Sequence, residues 1–193
     1  MTAGFVFYLP DPENLPDAEL WLTDQDLARV ERHRDRALRT GSYALLRYSL
    51  WKIGGEKSDL IVTDPSGKPR LADQSLHFSL SHSPGMAICA VSRQRPVGAD
   101  VEKIRPELVD DQVAEQVFCA EERAWIAGSA ERFFQLWVAK EAIFKAAGEV
   151  WDETWRDRSV LSALASIDQR RLGTYRAAAT CAAEWREFSS SSP

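Results

Sequence analysis

The spacing of apolar residues in the first third of the chain predicts a strand followed by two helices. The apolar run at residues 5–9 ends at Pro10 and predicts the strand. Thr23 and Asp24 can cap a first helix. Its apolar face would consist of Leu27, Val30 and Ala37. The second helix would bury Tyr43, Leu46, Leu50 and Ile53 and would end at Gly54-Gly55.

Short strands are predicted between about residues 60 and 101. The segments 60–62, 76–80, 86–91 and 97–101 are each apolar or alternating. Turns are expected at Asp64-Pro65-Ser66-Gly67 and at Ser83-Pro84-Gly85.

Helical spacing returns in the last part of the chain. We predict helices at about 107–128 and 131–147, the second ending at Gly148. Residues 151–172 show no clear strand, residues 173–185 fit either a strand or an alanine-rich helix, and the terminal serines predict a frayed tail. The order of strand, helices, strands and helices is typical of an α+β protein.

Composition narrows the class of protein. The chain has 193 residues, of which 45% are hydrophobic and 27% charged, as in ordinary soluble proteins. A net charge of -5 argues against nucleic acid as the main partner. We also expect no membrane segment, because no apolar run approaches about 20 residues. Three scattered cysteines and the absence of a signal-peptide pattern at the N-terminus predict a cytoplasmic protein.

Two acidic residues on one predicted strand could bind a cation. Asp100 and Glu102 have strand spacing and share one face, while Val97, Ala99 and Val101 form the opposite, apolar face. An Asp-x-Glu pair also occurs on solvated strand edges, so the pair alone does not establish a metal site.

A stripe on the helix at 131–147 strengthens the argument. Trp137, Glu141 and Lys145 follow one another at four-residue spacing and share a face. The same pattern occurs in amphipathic helices with no catalytic role. Beside Asp100 and Glu102, however, a third carboxylate and an ammonium are what a magnesium-bound phosphate ester requires.

Two further segments carry polar groups suited to phosphate. In Phe78-Ser79-Leu80-Ser81-His82-Ser83, strand alternation places the serines on one face and His82 on the other. A serine hydrolase is disfavoured because Gly-x-Ser-x-Gly is absent, whereas hydroxyls and an imidazole can donate to phosphate oxygens. Lys68 follows the turn at Gly67, which is not a phosphate-binding P-loop. A capping histidine and an exposed turn lysine are the simpler interpretations.

Taken in order, four segments resemble the 4′-phosphopantetheinyl transferase superfamily, in its Sfp-type branch. They are Gly67-Lys68-Pro69, Phe78 to Ser83, Gly98-Ala99-Asp100-Val101-Glu102, and Trp137-x-x-Lys140-Glu141-x-x-x-Lys145. The resemblance covers about residues 25–148. It implies two similar α+β halves in one chain, at 1–95 and 96–193, with the active site in the cleft between them.

The resemblance also implies an activity and a set of site residues. The phosphopantetheine arm of coenzyme A would be transferred to a serine of an acyl or peptidyl carrier protein, releasing adenosine 3′,5′-bisphosphate. Asp100, Glu102 and Glu141 would hold Mg²⁺, and Lys145 would contact the phosphate under attack. Ser81 and His82 would bind the 3′-phosphate side of the nucleotide, and Lys68 would reach the nucleotide phosphates. Arg39, followed by Arg29 and Arg32 as weaker matches, would supply the basic helix positions around coenzyme A. Glu141 is the candidate base, and a monomer is expected.

Two other functions fit parts of the pattern. A magnesium-dependent hydrolase of nucleotide pyrophosphates would use the same carboxylates without a carrier protein. A degenerate transferase would bind coenzyme A or a carrier without turnover. The presence of all four segments argues against the degenerate transferase. The hydrolase is disfavoured because Lys68, Ser81 and His82 would have no second phosphate group to bind.

Overall fold

The structure is a computed structural model and describes residues 4–54, 60–65, 67–149 and 153–189. Its strands are β1 (Gly4–Pro10), β2 (Ile61–Thr63), β3 (Pro69–Leu71), β4 (His77–Ser83), β5 (Met86–Ser92), β6 (Ala99–Lys103), β7 (Asp168–Leu172), β8 (Tyr175–Ala179) and β9 (Ala183–Glu187). Its helices are α1 (Asp24–Val30), α2 (Arg36–Ile53), α3 (Asp111–Val117), α4 (Ala120–Ile126), α5 (Ala130–Ala147) and α6 (Glu153–Asp157). The predicted α+β class is therefore confirmed. None of the described helices is both long and apolar enough to span a membrane.

The strands form three sheets. The largest has the order β4-β5-β1-β9, in which β1 and β9 are parallel and the other neighbours antiparallel. A second sheet has the order β6-β8-β7, and β2 pairs with β3 in a separate hairpin. The last described strand of the chain thus completes a sheet begun by the first.

The apolar residues stack the elements in four layers, in the order α2, the larger sheet, the three-stranded sheet and α5. One face of the larger sheet packs against α2 through residues such as Phe7, Phe78 and Cys89. Its other face packs against β6 and β8, with Val6 and Ile88 meeting Ala99 and Val101. Helix α5 covers the far side of the three-stranded sheet, where Val138 and Ala142 contact Ala178. Asp100 and Glu102 are therefore on the side of β6 that faces α5.

Gly98 sets the distance between β6 and α5. A Cβ added at this position would lie 1.8 Å from the carbonyl oxygen of Ala142, so only glycine allows the two backbones to approach. The glycine that precedes Asp100 in the sequence therefore serves packing, and it brings the strand carboxylates close to the helix that carries Glu141 and Lys145.

Several predicted boundaries are wrong. The first helix ends at Val30, and Ala37 lies in α2, where it is exposed. A turn separates the two helices, and Asp35, which directly precedes α2, has a non-helical backbone conformation. The predicted helix at 107–128 is divided into α3 and α4, because Phe118 leaves the helix to fill the core and Cys119 starts a new capping box with Glu122.

The C-terminal part contains strands where the sequence gave no clear signal. Strand β7 lies within the segment predicted to lack one, and residues 173–185 contain β8 and the start of β9 rather than a helix. Gly148 ends α5 in a left-handed conformation, as predicted. Gly54 ends α2 in the same way, while Gly55 and the terminal serines at 190–193 lie outside the described residues.

Candidate active site

One cavity of about 280 Å³ collects most of the predicted site residues. Its walls are Leu80, Ser81, His82, Asp100, Glu102, Trp137, Glu141 and Lys145. Strands β4 and β6 supply one side and α5 supplies the other. The strand pair and the helical stripe, which are far apart in sequence, therefore meet in space.

Asp100 and Lys145 form the centre of the cavity. The Lys145 ammonium donates to Asp100 Oδ1 at 2.6 Å and to Ser81 Oγ at 3.2 Å. Ser81 Oγ in turn donates to the same carboxylate oxygen at 2.7 Å. Asp100 is 3% exposed, so the carboxylate of this ion pair is largely desolvated, while the Lys145 side chain is partly exposed at 29%.

The serines of β4 connect the two larger sheets at the site. Ser79 accepts a hydrogen bond from the Ala99 backbone at 3.0 Å, while Ser83 accepts from Lys103 and donates to Glu102 Oε2 at 3.1 Å. The alternation predicted for β4 is confirmed, but sequence reasoning missed this role for Ser79 and Ser83. The alternating serines of this strand, together with the two carboxylates of a later strand, could have indicated that the two strands contact each other through hydrogen bonds.

The carboxylates repel one another electrostatically. Burial and the Asp100 charge raise the pKa of Glu102 to about 7, and the same two causes raise the pKa of Glu141. Burial opposes the charge of Lys145, but the nearby carboxylates of Asp100, Glu141 and Glu102 outweigh it and raise the pKa of Lys145. The cavity therefore favours additional positive charge.

The donor set suits a hard cation such as Mg²⁺. Three carboxylates line the cavity, and Asp100 Oδ2 is buried with no hydrogen-bond partner in the described part of the chain. In the same part, no three acidic, histidine or cysteine side chains are arranged to hold a metal ion as they stand. Lys145 occupies the other oxygen of Asp100, so metal binding would require the carboxylates to close on the ion.

The remaining predicted residues lie around this centre. His82 is close enough to Arg39 for their charges to interact; burial, Arg39 and Lys145 together lower the pKa of His82. Arg29 donates to the Ile61 carbonyl at 2.8 Å and so supports β2. Arg32 is exposed between α1 and α2, and its place at the site stays a prediction.

Lys68 lies at an adjoining cavity of about 240 Å³, whose other walls include Pro69, Phe78, Leu80, Phe144 and Lys145. Its ammonium donates to backbone carbonyls at the end of α5. The predicted contact with nucleotide phosphates is not tested by this arrangement, but the lysine does reach the helix that carries Lys145.

Lys140, the remaining charged residue of the helical motif, faces away from the cavity. It is fully buried and donates to Glu122 Oε2 at 2.6 Å and to the Arg156 carbonyl at 3.1 Å. Glu122 also accepts from the Cys119 and Val160 backbones. Lys140 therefore anchors α5 to α4 and to α6, and its partner Glu122 also holds the segment after α6 through Val160.

Comparison with known proteins identifies the family. A sequence model of the 4′-phosphopantetheinyl transferase superfamily matches residues 96–192, half of the chain. This chain belongs to that superfamily. Three named 4′-phosphopantetheinyl transferases illustrate the similarity. HetI of Nostoc sp. is 33% identical over 158 residues, 73% of this chain and 66% of HetI.

Two other members of the superfamily match shorter stretches. The gsp protein of Aneurinibacillus migulanus is 40% identical over 88 residues, which are 43% of this chain and 35% of the relative. AcpT of Salmonella typhi is 36% identical over 121 residues, 59% of this chain and 62% of AcpT. The matched part of the chain spans between about one third and two thirds of the length of these curated relatives.

The raised pKa of Glu102 predicts that the stability of this protein depends on pH when no metal is bound. A carboxyl whose pKa is higher in the folded state contributes stability below the unfolded value, and this contribution is lost as the pH rises to the folded value. The window therefore runs from the ordinary value of 4.5 to about 7. With a chelator present, Glu102→Gln should match the wild type near pH 4, below the window, and exceed it by about 2 kcal/mol at pH 8.

Urea denaturation at both pH values measures this difference. Glutamine can still accept the Ser83 hydrogen bond, so only the charge changes. The matched control is Glu115→Gln on the exposed face of α3, which should show the pH dependence of the wild type. Parallel stability profiles for Glu102→Gln and the wild type would contradict the prediction.

Proposed function

We propose that this protein transfers the 4′-phosphopantetheine arm of coenzyme A to a serine of an acyl or peptidyl carrier protein. The observation that carries the proposal is the meeting of Asp100, Glu102, Glu141 and Lys145 in one cavity of a superfamily member. The names of the similar proteins, all 4′-phosphopantetheinyl transferases, support the same reaction.

The reaction exchanges one phosphorus–oxygen bond for another. The carrier serine oxygen forms a bond to the phosphorus that bears the pantetheine arm. The bond from that phosphorus to the bridging oxygen breaks, and adenosine 3′,5′-bisphosphate leaves with the electron pair. Lys145, already held beside the buried Asp100 carboxylate, would balance charge on the phosphoryl oxygens during this step.

Mg²⁺ would be held by Asp100, Glu102 and Glu141. Bound there, it would neutralise charge on the pyrophosphate and improve the leaving group. The buried, unpartnered Asp100 Oδ2 and the raised pKa values of Glu102 and Glu141 support a cation at this position. When the ion binds, any proton on Glu102 must be released.

Glu141 is our candidate for the base that accepts the serine proton. A serine hydroxyl loses its proton far above neutral pH, so a nearby acceptor is needed. Burial and the Asp100 charge raise the pKa of Glu141, which makes its carboxylate a stronger base than an exposed glutamate. The same residue could serve as metal ligand, as base, or as both.

The nucleotide end of coenzyme A would lie on the side of β4 and α2. His82 and Arg39 supply donors and positive charge for its phosphates, with Arg32 as a further candidate on the exposed segment before α2. Ser81 would contribute through its hydroxyl, which now bonds Asp100. The adjoining cavity beside Pro69 and Phe144 has a largely apolar lining that suits the flat adenine ring.

The wider organisation is part of the same proposal. The chain would be an Sfp-type enzyme with two similar halves, 1–95 and 96–193, and with its active site in the cleft between them. Because both halves would lie in one chain, the enzyme would act as a monomer. The scattered, unpaired cysteines favour the cytoplasm as its compartment. The carrier could belong to fatty-acid, polyketide or nonribosomal-peptide synthesis.

The deciding experiment mixes the protein with coenzyme A, Mg²⁺ and an apo carrier protein, in parallel for several carrier types. We expect the carrier serine to gain the mass of the phosphopantetheine arm, as measured by mass spectrometry. The matched control is a carrier whose serine is replaced by alanine. Unmodified carrier of every type, where a known transferase succeeds, would refute the proposal. Consumption of coenzyme A without a carrier would instead indicate a pyrophosphate hydrolase.

A further inference from the structure

We propose that Lys68 is a positioning residue, which holds the last turn of α5 and thereby fixes Lys145. This inference rests on the proposed function, because it treats Lys145 as the cation that faces the reacting phosphate. It differs from the expectation that the Lys68 ammonium binds a phosphate of the nucleotide.

The contacts of the ammonium carry the argument. A lysine has three N–H donors, and three carbonyl oxygens lie within hydrogen-bond reach of Lys68 Nζ. They belong to Lys145, to Ala146 at 3.5 Å and to Val97 at 3.4 Å. The ammonium is thus directed at backbone acceptors of the protein, of which the Lys145 carbonyl is the nearest.

These acceptors are groups that need a partner. The carbonyls at the end of a helix have no intrahelical partner, and the helix dipole places partial negative charge there. Gly148 ends α5 just after Lys145 and Ala146. A lysine brought in from outside the helix therefore satisfies its last turn and offsets its charge.

The base of the Lys68 side chain is also fixed. The Lys68 backbone N–H donates to Asp64 Oδ1 at 2.9 Å, and the Asp64 N–H donates to the Lys68 carbonyl at 3.0 Å. The Gly67 N–H closes the turn by donating to the Asp64 carbonyl at 3.0 Å. The hairpin of β2 and β3 thus presents the lysine to α5 from a defined position.

Lys145 is consequently held at both ends. Its ammonium is bound by Asp100 and Ser81, and its carbonyl is bound by Lys68. The Lys68 ammonium also lies near the carbonyl of Val97, the residue just before Gly98 and the strand that carries Asp100. The lysine therefore couples the helix with Lys145 to the strand with its carboxylate partner.

The test compares Lys68→Met and Lys68→Arg with the wild type. The first readout is hydrogen exchange of the amides at 141–149, which does not depend on activity. Without its lysine the last turn of α5 should open more often, and we expect its exchange to rise at least about tenfold in Lys68→Met. Lys68→Arg keeps N–H donors for these carbonyls, so its exchange rate should remain closer to that of the wild type.

The second readout separates kcat from KM in the carrier-modification assay. A displaced Lys145 should lower kcat by about 10- to 100-fold in Lys68→Met, with partial rescue in Lys68→Arg. The KM for coenzyme A should stay within about twofold, and the affinity for adenosine 3′,5′-bisphosphate should keep the salt dependence of the wild type. Lys52→Met, an exposed lysine on α2, is the matched control and should change neither readout.

The opposite pattern would overturn the proposal. A raised KM, a weaker salt dependence of bisphosphate binding and unchanged exchange would make Lys68 a phosphate ligand. Faster exchange with unchanged kcat would make it a stabilising contact with no positioning role. If the wild type modifies no carrier, the proposed function fails, whereas the exchange measurement still decides whether Lys68 holds α5.

Discussion

Replacing Asp100 with asparagine is expected to lower the rate of phosphopantetheine transfer on the order of 10³-fold. The buried carboxylate holds the Lys145 ammonium through Oδ1 and offers Oδ2 to a cation. Asparagine keeps the size and can still accept the Ser81 hydrogen bond, but it lacks the charge that both functions need. Initial rates of carrier modification across a Mg²⁺ titration measure the loss.

Asp24→Asn is the matched control, since Asp24 is an exposed aspartate in the first turn of α1. It should leave the rate unchanged. Circular dichroism should show both variants folded. Asparagine conserves the volume at each position, and Lys145, unlike Lys140, is 29% exposed and keeps Ser81 and the charges of Glu141 and Glu102 nearby. If Asp100→Asn retained more than about a tenth of the wild-type rate, Asp100 would be excluded from the proposed metal-binding set.

Removing Glu122 is expected to have the largest effect on stability. Glu122→Ala should lower the free energy of unfolding by about 3 to 5 kcal/mol, because it leaves the Lys140 ammonium buried and unpaired. Both side chains of the pair are at most 1% exposed, and Glu122 also satisfies the Cys119 and Val160 backbones. Urea denaturation followed by tryptophan fluorescence measures the change.

An exposed ion pair provides the comparison. Arg186→Gln breaks the contact with Glu184, where both partners are about half exposed, and should change the unfolding free energy by less than about 1 kcal/mol. The double variant Glu122→Leu with Lys140→Met should be more stable than Glu122→Ala, because no buried charge is left unpaired. Similar small losses for Glu122→Ala and Arg186→Gln would show that the buried pair is not structurally important.

Local periodicity explains the part of the site that the sequence predicted. Strand alternation separated Asp100 and Glu102 from the apolar residues of β6, and helical spacing aligned Trp137, Glu141 and Lys145. Each pattern needs only neighbours within a few residues. The structure brings both sets into one cavity, while their roles as ligands and base remain predictions.

The features that escaped prediction depend on distant partners. Nothing near Lys68 indicates that its ammonium ends at the carbonyls of α5, and nothing near Lys140 indicates a partner 18 residues earlier. The break at Phe118 follows from tertiary packing, since the isolated segment has helical spacing on both sides. Strand β7 is mostly polar and was missed because only its pairing with β8 defines it.

The parallel pairing of β1 with β9 has a consequence for how the protein is made. Gly4 lies opposite Ala183, so the edge of the larger sheet cannot close until nearly the whole described chain has been synthesised. Contacts between such distant residues close large loops and slow folding. During translation β1 emerges with both edges unpaired; β5 covers one of them, and the other stays open until β9 has been made. Strand β9, the last in the described part of the chain, therefore protects this edge of β1 from pairing with another chain.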